Sequence, residues 1–320
     1  MLLSLNKKSI INFQKPNRPP FKWSGSKTKM LKKYESCGFW DMEEPKLFLD
    51  VMSGSTVMSL WARKKFPNME IVINDKNSEM INMYKNIRDH KDIFKNYFKG
   101  LVDNYQPLSF DDRYKYYYDL RNDYRLENNL IDPVDESAKL LFLLITGFCG
   151  VWQTMKTSGD RYATSRGTLD EKNIYPKLNH IDQFHDFLKT CIITDDDFNN
   201  TGRWVNQGTF VYCDPPYRES FAEYESKQSG GFTDTHQLQL IEYMKNCHNS
   251  YCKVAMSNRE FNGFKLKFLE DNNTSIDPSH GWFSDKFNDY WNVTEFTDIH
   301  YSTGRGKGLQ RATEILIKNY

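Results

Sequence analysis

Apolar residues follow two regimes along this chain. Toward both ends they form short runs closed by turn formers, and in the middle they recur at helical spacing among charges. Residues 47–51 and 70–73 read as buried strands flanking a segment, 55–66, of helical composition, which makes a strand, helix, strand unit. Residues 78–87 then predict a helix with Met80, Ile81, Tyr84 and Ile87 on one side. From 92 to 188 no strand-like run occurs. Phe94, Phe98, Tyr105, Tyr114, Tyr117, Tyr118 and Tyr124 are spaced as the core of a helical subdomain, a reading preferred to a base-stacking ladder. Strands resume at 191–194, 209–213, 253–257, 293–301 and 313–318. The pattern predicts an α/β fold, one doubly wound, Rossmann-like sheet interrupted by a helical insertion. Residues 1–20 form a basic arm, 21–91 with 189–320 the sheet domain, and 92–188 the insertion.

Composition narrows the class. At 320 residues the chain can bury a substantial core. Its longest fully apolar helical run, 140–145, is far too short to cross a bilayer. Lys7 and Lys8 are followed by no apolar stretch of signal-peptide length, so an intracellular, soluble, cytoplasmic protein is expected. The six cysteines contain no Cys-x-x-Cys pair, which predicts free buried thiols and no metal site. His180 and His185 are five apart, lack zincin spacing, and read as structural. The formal charge of +1 hides an asymmetry: up to Tyr34 there are nine Lys or Arg and no acid. Such a segment suits phosphate contact, or solubility alone.

One strand ends in chemistry. Residues 208–217 read Gly-Thr-Phe-Val-Tyr-Cys-Asp-Pro-Pro-Tyr. Two prolines cannot continue a ladder, so pairing stops there, at the carboxyl end of a strand where open α/β sheets place ligands. Asp214 can accept hydrogen bonds, the carbonyl of Pro215 points in a fixed direction, Pro216 stiffens the turn, and Tyr217 offers a face for stacking. This set suits a planar amine. A nucleobase amine is a poor nucleophile because its lone pair is delocalised into the ring. Two acceptors that hold both its hydrogens let the nitrogen pyramidalise and attack an electrophilic carbon. The bland alternative is a simple Asp-Pro turn.

Asp214-Pro215-Pro216-Tyr217 resembles the catalytic motif of the Dam-type DNA adenine-N6 methyltransferases, and further blocks agree in order. Phe21-Lys22-Trp23-Ser24-Gly25-Ser26-Lys27 is similar to that family's amino-terminal Lys-Trp-x-Gly-x-Lys block. Residues 46–55 resemble its first cofactor strand and glycine turn, although Val51-Met52 stands where the family has Pro-Phe or Leu-Phe, and Gly54 is a single glycine. Residues 71–75 resemble its second strand with a terminal acid, Asp197-Phe198 its Asp-Phe step, and residues 313–320 its closing strand. The likeness spans roughly residues 20 to 320.

The resemblance implies S-adenosylmethionine as methyl donor. Lys22, Trp23, Gly25 and Lys27 would form one cofactor wall, Asp50 and Gly54 the turn, and Asp75 the ribose acceptor. Asp197 and Phe198 would take the cofactor's adenine. The implied partner is double-stranded DNA, met by a monomer or weak dimer without membrane or metal. In the turn-rich stretch 146–167, Trp152, Arg161 and Arg166 are candidate DNA contacts, and Arg305 and Lys307 form a second basic cluster. The same chemistry on cytosine N4 or RNA adenine, and a catalytically silent DNA-binding paralogue, remain alternatives.

Overall fold

A computed structural model describes residues 18–124, 132–155, 161–167, 173–217, 232–262, 282–287, 290–301 and 310–320. In chain order the strands are β1 (Leu47–Asp50), β2 (Glu70–Asn74), β3 (Thr154–Met155), β4 (Arg161–Tyr162), β5 (Cys191–Thr194), β6 (Thr209–Cys213), β7 (Lys253–Asn262), β8 (Asn292–Tyr301) and β9 (Gln310–Lys318). Seven of them form one sheet in the order β5-β2-β1-β6-β7-β9-β8. The first five run parallel, and β9 inserts antiparallel between β7 and β8.

Period-two alternation divides the sheet between two cores. Phe48, Phe210, Tyr212, Ala255 and Leu316 face the larger cluster, while Leu49, Val211, Cys213, Val254, Met256 and Ile317 face the smaller. Both faces are covered, which explains why β1 and β6 are buried at every position. Helix α1 (Leu31–Ser36) adds Tyr34 to the larger cluster, and α2 (Val57–Lys65) adds Met58, Leu60 and Ala62. The expected helix at 78–87 is α3 (Ser78–Asp89), capped by the Asn77 side chain.

Among the described residues the insertion carries the helices α4 (Lys91–Tyr105), α5 (Phe110–Asp123), α6 (Pro133–Thr146) and α7 (Lys177–Leu188). Asp132 caps α6 and Pro133 opens it, a good helix start because Pro lacks only an N–H that would find no partner there. Phe94, Phe98, Val102 and Tyr105 line one face of α4, and the Tyr105 ring meets Phe142 of α6 edge-on at 5.1 Å. Tyr84 of α3 meets Phe184 of α7 the same way at 5.6 Å. The insertion's apolar residues therefore continue the sheet's larger core.

Three expectations need correction. The insertion holds strands after all: β3 and β4 form a two-residue antiparallel ribbon, too short to show a period. Of the aromatics expected in its core, Tyr114 is exposed and Tyr118 only half-buried, packing against the edge of the cluster. Of the cysteines expected to be buried, Cys149 is exposed and Cys37 half-buried. Helix α8 (Asp234–Asn249) covers the smaller core with Leu240, Ile241 and Met244. Among the described residues no helix is long and apolar enough to cross a membrane.

Candidate active site

Strand register assembles the site. Tyr212 pairs with Ala255 and Cys213 with Met256, so Asp214 comes level with Ser257 just beyond the end of β6. Across the antiparallel join, Ser257 pairs with Leu316 and Arg259 with Glu314. Alternation then sets Tyr212, Asp214, Ser257, Arg259 and Glu314 on one face.

Asp214 is held at both oxygens. Ser257 Oγ donates to Oδ1 at 2.8 Å, and Lys27 Nζ lies 2.7 Å from Oδ2. The Lys27 ammonium is only 5% exposed and also donates to the Gly25 carbonyl at 2.9 Å. Burial pushes the Asp214 carboxyl up, and Lys27 and Ser257 pull against that by favouring the charged form. Lys27, expected on the cofactor wall, therefore sits on the carboxylate of the Asp-Pro-Pro-Tyr motif.

Tyr217 closes the group. Its hydroxyl donates to Glu314 Oε2 at 3.2 Å, and the Lys27 ammonium stands 4.8 Å from its ring centre. The guanidinium of Arg259 stands 5.6 Å from the same ring. Gln237 of α8 donates from Nε2 to the Pro216 carbonyl at 2.8 Å, and its Oε1 accepts from Asn258 Nδ2 at 3.2 Å. Pro216 is thus tied to α8 and, through Gln237, to β7.

A second group surrounds the turn after β1. The Gly54 N–H donates to Asp75 Oδ2 at 2.8 Å, the Asn77 N–H donates to Asp75 Oδ1 at 2.9 Å, and the Tyr84 hydroxyl donates to the Gly54 carbonyl. Gly54 has φ +44°, and a Cβ there would stand 2.9 Å from Trp23 Nε1. Trp23, Asp75 and Tyr84 thus surround the turn. Burial pushes the Asp50 carboxyl up to about 7; a hydrogen bond from Ser59 Oγ at 2.6 Å opposes the rise, and the charges of Asp214 and Asp75 add to it.

Asn74, which sequence reasoning passed over, joins three strand ends. Its Nδ2 donates to the carbonyls of Val51 at 2.9 Å and Asp196 at 3.0 Å, while its Oδ1 accepts from Thr194 Oγ1 at 2.7 Å. Asp197 accepts the Asn199 N–H at 3.1 Å and pairs with Lys76 at 3.1 Å. Phe198 is buried edge-on to Tyr243 at 6.0 Å.

The amino-terminal block touches the insertion as well. Ser24 N–H donates to the Gly150 carbonyl at 3.1 Å, and a Cβ on Gly150 would strike the Lys22 carbonyl, while the Lys22 side chain is exposed. Two residues expected at DNA lie inside the insertion instead. Trp152 is buried against Tyr162 at 5.5 Å. Arg166 is buried with its guanidinium 4.4 Å from the Phe110 ring centre, and its Nη1 donates to the Phe110 carbonyl at 3.4 Å. Neighbouring aromatic rings and a carbonyl have drawn this arginine inward. Arg161 belongs to β4 opposite Met155, and Arg305 and Lys307 lie outside the described residues.

A parallel sheet with an antiparallel strand set beside its last position, a glycine turn clamped by an acid, and Asp-Pro-Pro-Tyr at a central strand tip define a Rossmann-like methyltransferase. The chain belongs to the D12 class of N6 adenine-specific DNA methyltransferases, whose family model matches residues 23–293. It is 24% identical over 262 residues to the type II methyltransferase M.MjaIII of Methanocaldococcus jannaschii, covering 78% of this chain and 90% of that one. With the type II methyltransferase M1.LlaDCHI of Lactococcus lactis subsp. cremoris the identity is 25% over 325 residues, 99% of each chain. With the type II methyltransferase M.CviBI of Paramecium bursaria Chlorella virus NC1A it is 26% over 245 residues, 76% of this chain and 84% of the relative. The family acts on DNA adenine, which decides against cytosine N4 and RNA adenine.

Proposed function

We propose that this protein flips an adenine out of double-stranded DNA and methylates its N6 with S-adenosylmethionine, the base stacked on Tyr217 and its amine held by Asp214 and the Pro215 carbonyl. The observation that carries the reading is the Asp214 carboxylate, fixed between Ser257 and Lys27 beside the Tyr217 ring. When bound, S-adenosylmethionine supplies a methyl carbon on a sulfonium that leaves as a neutral thioether. The residues at the Gly54 turn fit such a group. The missing Cβ at Gly54 lets the Trp23 ring close on the turn, where it offers an apolar wall, and Asp75 keeps acceptor capacity beyond its two backbone donors. Trp23, Asp50, Gly54 and Asp75 would hold the cofactor, with Lys22, Gly25, Asp197 and Phe198 around them. Asp214 and the Pro215 carbonyl orient the amine so that its lone pair leaves the ring plane.

Labelled methyl transfer from S-adenosylmethionine to plasmid DNA, followed by mapping of methylated adenine, tests the reading. A protein that binds DNA and transfers nothing would be the silent paralogue. Asp75→Ala is expected to weaken cofactor binding by roughly 1.5–3 kcal/mol, the value of charge-assisted hydrogen bonds to ribose hydroxyls. Calorimetry on both proteins measures it, and an unchanged Kd would leave Asp75 as a clamp on the turn alone.

The β3–β4 ribbon is the proposed DNA reader, and Arg161 on it and Arg166 beyond it are expected to behave differently. Arg161→Ala should lose about 1–3 kcal/mol of discrimination and methylate a broader set of sites if Arg161 reads a base. If it only holds phosphate, the same sites are methylated more slowly with a shallower salt dependence. Arg166→Ala should keep the parent's sites and lower the urea midpoint, because a buried guanidinium over Phe110 is removed. Methylation maps and denaturation curves for each variant separate these outcomes.

A further inference from the structure

We propose that Ser257 is the positioning residue of Asp214 and that Tyr212 stands behind it, the two hydroxyls fixing which oxygen of the carboxylate is presented to the target amine. The inference rests on the proposed role of Asp214 as acceptor for that amine. Ser257 Oγ lies 2.8 Å from Asp214 Oδ1 and 2.7 Å from the Tyr212 hydroxyl oxygen. A serine hydroxyl has one hydrogen and an ionised carboxylate has none. Ser257 therefore donates to Asp214, and Tyr212 donates to Ser257.

Both hydroxyl residues are fully buried. Water does not reach these hydroxyls, and the third hydroxyl beside Ser257, that of Tyr34 on α1, is buried as well, so their direction is set by the fold. Ser257 is also the stiffer of the two donors on Asp214. It stands on a strand paired on both sides, with one side-chain torsion before its oxygen. Lys27 reaches the other oxygen from the amino-terminal block on a four-carbon stem. Oδ1 is thus pinned by the sheet, and Oδ2, which meets the longer and more adjustable lysine, is the oxygen left to share with an incoming N–H. Methyl transfer requires the nitrogen in line with the carbon and sulfur, and a displacement of about 1 Å can cost on the order of a hundredfold in rate.

The test uses the full chain with Ser257→Ala, Ser257→Thr, Tyr212→Phe and Asp214→Asn, read as steady-state and single-turnover methyl transfer to plasmid DNA, with cofactor Kd and Tm alongside. Ser257→Ala is expected to lower kcat by roughly ten- to a hundredfold while KM for DNA and cofactor Kd stay within about twofold. Ser257→Thr should recover most of the rate because the hydroxyl returns. Tyr212→Phe should lose only a few-fold, and it decides the matter if Ser257→Ala does not fold: parent kcat there would overturn the chain. Adding Ser257→Ala to Asp214→Asn should change kcat no further, since the group being positioned is already altered. A parent-like kcat in folded Ser257→Ala, or independent losses in the double variant, would overturn the proposal. A parent-like kcat in Asp214→Asn would instead overturn the role of Asp214 itself.

Discussion

Asp214→Ala is expected to abolish methyl transfer, a loss above about a hundredfold, in a folded protein that still binds S-adenosylmethionine. The carboxylate is the charged acceptor at the strand tip, and nothing else described near Tyr217 replaces it for an amine. Glu314 is committed to the Tyr217 hydroxyl, with Oε2 at 3.2 Å. The substitution also strips Lys27 of its counter-ion and Ser257 of its acceptor. Lys27 is only 5% exposed, so the ammonium left without its counter-ion should also lower the melting temperature of the variant. A thermal melt and cofactor calorimetry on the variant separate lost chemistry from lost fold, and near-normal turnover would remove Asp214 from the reaction.

The second large effect is in stability. Burial pushes the Asp50 carboxyl up to about 7, while in an unfolded chain it titrates near ~4. Between those values the folded protein holds a proton that the unfolded chain has released. The stability carried by the neutral acid is fully present below about pH 4 and is lost as pH rises through about 7, a swing on the order of 4 kcal/mol. Burial also pushes up the carboxyls of Asp75, Asp214 and Glu314, which tilt the whole curve the same way. The difference between parent and Asp50→Asn isolates the one group, because asparagine keeps an acceptor for Ser59 and cannot ionise. Urea unfolding of both proteins at a series of pH values should show the parent losing ground to the variant up to about pH 7 and none beyond. A constant difference would mean that Asp50 is ionised throughout.

The strands β1, β2, β5 and β6 were legible to within a residue because each is a short apolar run closed by a turn, the first two and β6 buried on both faces and β5 at the sheet edge with Ile192 exposed. Strands β7 and β9 run further than their apolar stretches, since their antiparallel pairing continues to Asn262 and Ala312 beyond the core. The ribbon of β3 and β4 left no trace, two residues being too few for alternation to register. Asp214, Tyr217, Gly54 and Asp75 were legible as motifs. Ser257 and Glu314 were visible only as polar residues in or after apolar strands, because their place beside Asp214 and Tyr217 depends on register across β6, β7 and β9. Arg166 was misjudged for a related reason: Phe110, which draws it inward, is 56 positions away in sequence.

Tyr84 belongs to two assemblies at once. Its ring packs on Phe184 in the insertion, and its hydroxyl holds the Gly54 carbonyl at the turn after β1. With one core running from the sheet through α3, α6 and α7, loosening of those helices and opening of that turn belong to the same cooperative unit. A ligand held at the turn therefore raises the free energy of opening for helices it never touches, by about 2.7 kcal/mol at a hundred times its Kd. Amide hydrogens of α6 and α7 would exchange more slowly in its presence, and the segment proposed to meet DNA would be stiffened by occupancy of a site joined to it through Tyr84 of α3.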